Sequence, residues 1–230
     1  MLLWDQSLPE LFGKGHFVMW PLLLCSIVGA TIIVERLIYF LRLRFDYGQF
    51  KSRLESILLK EKDVKKAILL CRKSSHPVPR VAREYLTNLH QDRLREEIVR
   101  REGSLALEKL ESHLRTLAAI THLAPLLGLL GTVTGLVTAF HQIEQAGGYV
   151  QASGLAGGIW EALITTVFGL CIAIPCMAAY HGFESHVDQV ARHMQFMVSD
   201  LNEFFGKKSA EEFRTESMEK RDESLHAVTS

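Results

Sequence analysis

Residues 124–140 read APLLGLLGTVTGLVTAF, and residues 157–175 read GGIWEALITTVFGLCIAIP. A short polar stretch separates them. With its apolar flanks, each is long enough to cross a bilayer, which takes roughly 20 mostly apolar residues in a helix. A backbone in hydrocarbon must satisfy its own hydrogen bonds, so helices are the expected form. The pair reads as a transmembrane helical hairpin. Its threonines and one carboxylate, Glu161, form a polar thread through it.

The composition of the whole chain fits that reading. Its 230 residues carry a formal net charge of zero, so there is none of the basic excess of a nucleic-acid binder. The hydrophobic share of 48% is modestly above a soluble average, but it is strongly segregated. Charges crowd into Arg42–Arg115 and the region after His181, and they nearly vanish from three apolar blocks. A soluble domain would interleave them at helical period. The four cysteines form no CxxC pair and the ten histidines no HExxH, so neither a metal set nor a cofactor is expected.

The first apolar block, Phe17–Val34, is longer than the core of a signal peptide. No positive stretch precedes it and no small-residue cleavage site follows, so it reads as a retained span. Glu35-Arg36 marks its exit, and Arg42, Arg44, Lys51 and Arg53 follow. The positive-inside rule puts that side in the cytoplasm. The stretch His141–Ser153 has no Lys or Arg and falls outside. The expected order is an external N-terminus over 1–16 and spans at 17–40, 118–141 and 155–180. A cytoplasmic helical region covers 41–117 and an external turn 142–154. A helix extension covers 181–206 and a disordered tail 207–230.

Helical spacing of Phe50, Leu54, Ile57 and Leu58, of Val64, Ala67, Ile68 and Cys71, and of Val81, Tyr85 and Leu86 fills the cytoplasmic region. His76-Pro77-Val78-Pro79 interrupts it. From Leu94 the pattern runs through Leu107, Leu110, Leu114 and Leu117, and predicts one helix feeding straight into the second span. Phe183, Val187, Val190, Met194, Met197, Leu201 and Phe204 alternate steps of four and three, the spacing of a coiled-coil seam. The fold class is therefore all-α and membrane-integral. It has three transmembrane helices, two of them extended far into the cytoplasm, and a cytoplasmic helical region.

Candidate functional residues lie in the hairpin. Gly128, Gly131 and Gly135, with Gly169 and Pro175, suit close helix approach, because packing drives association where lipid is as apolar as the protein. A threonine hydroxyl can bond its own helix, but it can also pass a proton along. Thr132, Thr165 and Thr166 are candidates for such a path. Glu161 is costly inside a span, and such groups mark ion routes. Glu161 and Thr165 are four residues apart on one face, while Thr166 lies about 140° round from Glu161.

At these two motifs, and at ERLIYFLRL over 35–43, the chain closely resembles the ExbB/TolQ/MotA proton-channel family, with ExbB-like members the nearest match. The resemblance covers the three spans and their order. It implies a subunit of the bacterial inner membrane, with its N-terminus outside and its C-terminus inside. It also implies a homo-oligomer, a pentamer, around the helices of an ExbD/TolR-like single-span partner that supplies a membrane Asp. Proton flow would energise a TonB-like protein. By motif, Thr132, Glu161 and Thr166 correspond to the family's pore-facing threonines and its carboxylate. A TolQ-like role in the Tol-Pal envelope system and a static membrane scaffold are the alternatives. No nucleophile–base pair or phosphate loop suggests an enzyme.

Overall fold

The computed structural model describes the backbone of residues 17–43, 45–61, 63–145 and 152–228. Side chains at 61, 92–93, 152–155, 161 and 207–228 lie outside the described set, as does the expected external segment 1–16. The described residues form seven α-helices and one π-helical turn, with no strand. These are α1 (Met19–Arg42), α2 (Tyr47–Ser56), the π turn (Ile57–Glu61), α3 (Val64–Arg72), α4 (Pro77–Thr87), α5 (Asp92–Glu111), α6 (Leu114–Gln145) and α7 (Ala152–Val228). Three helical stretches, beginning at Met19, Leu114 and Ala156, are long and apolar enough to cross a membrane. The helix assigned as α7 runs on through 207–228, where composition favours a disordered tail.

The chain divides into two compact units. The first holds α1, α6 and the part of α7 up to His186, together with the last residues of α5. Along α1, Met19 and Leu22 pack with Ala124 of α6 and Ala173 of α7. Further on, Cys25, Val28, Ile32 and Ile33 pack against Leu117, Ile120 and Cys176. Gly29 is needed at that crossing, because a Cβ there would sit 2.8 Å from the Cys176 sulfur. Phe40 closes the α1–α7 contact, with its ring centroid 5.4 Å from Phe183 and 5.0 Å from His186.

The second unit holds α2 to most of α5, with α7 from Val187 onward. Its helices start on recognisable caps. The Asp46 carboxylate accepts from the Gln49 amide at 3.0 Å, and Asp63 accepts from Lys66 at 3.1 Å. The proline pair that interrupts the helical pattern is also the start of α4. His76 Nδ1 accepts from the Val78 amide at 3.3 Å and Pro77 occupies the first turn, where its missing N–H costs nothing. Val187, Val190, Met194, Met197 and Leu201 of the seam are buried. Polar ties from this part of α7 reach α2 through Lys51–Asp200 at 2.6 Å, and α4 through Tyr85–Asn202 at 2.7 Å.

One expectation about continuity fails. The leucine pattern of 94–117 does not form a single helix, because α5 and α6 are separated by a turn at Ser112-His113. Leu110, Leu114 and Leu117 are buried on both sides of it, so the apolar face persists while the backbone breaks.

Candidate functional site

The site is the antiparallel contact of α6 with the first half of α7. Small residues build it. A Cβ added at Gly128 would lie 2.9 Å from the Thr165 carbonyl oxygen and 2.9 Å from the Thr166 Cα. At Gly131 it would run into the Thr165 side chain, at Gly135 it would lie 2.8 Å from the Ala162 Cβ, and at Gly158 it would lie 3.0 Å from the Ala139 Cβ. A Cβ on Gly169 would lie 2.6 Å from the Ala124 carbonyl. Partner numbers fall along α7 as they rise along α6. The two backbones therefore approach closely over three turns, as small-residue faces allow in membranes.

That close approach puts two hydroxyls on one carbonyl. The single Thr165 hydroxyl proton is shared between the Gly128 carbonyl at 3.1 Å and the Ala162 carbonyl of its own helix at 2.7 Å. Thr166 Oγ1 donates to the same Gly128 carbonyl at 3.0 Å. Thr165 is 2% exposed and Thr166 half-buried. Adjacent residues differ by about 100° around a helix, so both can reach one oxygen only because residue 128 has no side chain in the way.

The other threonines behave differently. Thr132 donates to the Leu129 carbonyl at 2.7 Å, Thr134 to Leu130 at 2.9 Å and Thr138 to Thr134 at 2.9 Å. Each hydroxyl stays on its own helix, the ordinary behaviour of threonine in an apolar helix. Thr132 therefore does not join Thr165 and Thr166 within this chain. Glu161 lies on the α7 backbone one turn before Thr165, and its side chain is outside the described set. Pro175 is within α7 and exposed. The glycines face the chain's own α7, so they give no support to an approach between neighbouring copies.

Arg36, read from the sequence only as part of the exit of the first span, has a further role. It reads as one more cation after a span, yet it is 3% exposed. Nη1 donates to the Leu110 carbonyl and Nη2 to Ser112 Oγ, both at 3.0 Å. Its neighbour Glu35 lies 2.7 Å from His113 Nδ1. The motif ERLIYFLRL held the signal, but nothing local shows where the guanidinium goes.

Comparison with known proteins gives a consistent answer. Residues 73–196, just over half of the chain, match the model of the MotA/TolQ/ExbB proton channel family. The ExbB-like 1 biopolymer transport protein of Synechocystis is 33% identical over 83% of this chain and 76% of its own length. The biopolymer transport protein exbB1 of Vibrio cholerae is 28% identical over 86% of this chain and 88% of its own. ExbB of Neisseria meningitidis is 28% identical over 87% and 94%. The matched segment contains the whole α6–α7 contact described above, and on these likenesses the chain belongs to the MotA/TolQ/ExbB proton channel family.

Proposed function

We propose that this chain is the channel-wall subunit of an ExbB-type motor of the bacterial inner membrane, with α6 and α7 bordering the proton path. The observation that carries the reading is the convergence of Thr165 and Thr166 on the Gly128 carbonyl inside an otherwise apolar hairpin. A hydroxyl both donates and accepts, so Thr166 can relay a proton or hold a water file. Thr132 and Glu161 extend the path, Thr132 turned toward a neighbouring helix of the assembly and Glu161 near the outer mouth. Glu161 lies about 9 Å along the axis from Leu155, a depth that allows hydration and lowers the cost of a charge.

In this reading copies of the chain form a homo-oligomer, a pentamer, around a single-span ExbD/TolR-like protein. That partner's membrane Asp is the central carrier, and the flow energises a TonB-like protein. The N-terminus is outside and the C-terminus inside. Cysteine introduced at Glu144 should label from outside and cysteine at Lys66 should not; the opposite pattern inverts the topology. Proton flux into vesicles holding this protein and its partner is expected to fall strongly in Glu161→Ala and less in Glu161→Gln. Unchanged flux in Glu161→Ala would remove that residue from the path. Absence of flux in the wild-type complex would leave the scaffold reading.

A further inference from the structure

The joint between α5 and α6 is held from a distance by two consecutive residues of α1. The last four carbonyls of a helix have no partner within it, and the Leu110 carbonyl is among those of α5. It accepts from Arg36 Nη1, while the other arm of the guanidinium engages Ser112 in the turn itself. A cation there also suits the negative end of the helix dipole. Glu35 completes the arrangement. Its Oε2 is 3.4 Å from Arg36 Nε, which makes no hydrogen bond of its own, and 2.7 Å from His113 Nδ1. The His113 carbonyl in turn accepts from the Leu117 amide, at the start of α6. The Tyr39 ring lies against the guanidinium, 5.4 Å from its centroid.

A buried charge persists only where its surroundings compensate it, and here the compensation is concentrated on one backbone break. A planar fork suits two acceptors at once, which a lysine ammonium cannot match. We propose that Arg36, assisted by Glu35, is a positioning residue that caps α5 from α1 and fixes the joint from which α6 starts. Gly128, which receives Thr165 and Thr166, lies 14 residues beyond Leu114, about 21 Å along α6. A joint free to bend would load the Leu117, Ile120 and Ala124 packing that seats α6 on α1 and α7, and through it the Gly128 carbonyl. The part concerning conduction rests on the channel reading given above; the cap itself does not.

The test uses the full chain with its partner in lipid nanodiscs and vesicles. Hydrogen exchange is read over residues 112–118, and proton flux is read per assembled complex. Arg36→Met is expected to accelerate exchange at least about tenfold and cut flux about tenfold. Arg36→Lys should recover part of both, and Ser112→Ala should accelerate exchange about two- to fivefold. Unchanged exchange in Arg36→Met overturns the cap. If that variant does not assemble, unchanged exchange in both Arg36→Lys and Ser112→Ala overturns it instead. Faster exchange with wild-type flux per complex overturns the positioning role. A wild-type complex without flux sinks the channel reading, and the exchange result then decides the cap alone.

Discussion

Helix α4 and residues 123–140 of α6 bury opposite things. In α4, Val78, Val81, Tyr85 and Leu86 are inside, and Tyr85 is 2% exposed. In α6, Leu123, Leu126, Leu129, Val133, Val137 and Phe140 are outside, while Gly128, Gly131 and Ala139 are inside. Water explains the first arrangement, because removing large apolar surface from it stabilises a fold. It cannot explain the second. Where the surroundings are as apolar as leucine, large side chains gain nothing by turning inward, and small ones let backbones meet. The contrast is the one expected between a region folded in water and a span packed in hydrocarbon.

The same substitution should therefore have opposite consequences in the two places. Leu86→Ala in α4 is expected to destabilise the protein by about 2–5 kcal/mol. Leu126→Ala, at an exposed position of α6, should stay within about 0.5 kcal/mol. Thermal melting in one mild detergent checks both, and equal losses would break the distinction. Enlarging the inside of α6 should hurt where enlarging an open position of α5 does not. Gly131→Ala puts a methyl group into Thr165 and is expected to cost about 1–3 kcal/mol. Ala substituted for Gly103, with nothing within 4 Å, should be neutral or slightly stabilising by the same melt, because alanine favours helix over glycine by about 1 kcal/mol.

Thr165→Val removes an interhelical hydrogen bond that averages about 0.6 kcal/mol in membrane proteins, so its melting shift should be smaller than that of Gly131→Ala. A smaller contrast concerns thiols. Burial pushes the Cys71 thiol up to about 12, so it stays protonated at neutral pH and the thiolate needed for alkylation is scarce. Maleimide labelling of Cys71 at pH 7.5 should be slow until denaturant is added. Rapid labelling of the native protein would contradict its burial.

The sequence made the three apolar helices legible because each is a long uninterrupted run, and the cytoplasmic helices legible because Phe50, Leu54, Ala67, Cys71, Val81 and Tyr85 keep helical spacing. The break at Ser112-His113 was not legible, since Leu107, Leu110, Leu114 and Leu117 keep their period across it. What stabilises the break is a side chain 74 residues away, Arg36 on Leu110. The π turn at Ile57–Glu61 had no sequence cue either. Within the site, periodicity picked out the glycine face of α6 but not its partner. Thr165 and Thr166 looked like residues of different faces, and only the closeness of the Gly128 backbone lets both hydroxyls reach one carbonyl.

In the proposed channel the polar spot on this hairpin conducts rather than merely packs. Proton flux through wild-type, Thr132→Val and Thr166→Val complexes, reconstituted with the single-span partner and normalised to assembled complex, tests it most directly. Valine keeps the shape of threonine and deletes the hydroxyl. Normal assembly is expected, with at least about a tenfold loss of flux in Thr166→Val and a clear loss in Thr132→Val, each larger than the small stability change can explain. Full flux in both variants at normal assembly would contradict it and leave the threonines as helix-packing residues.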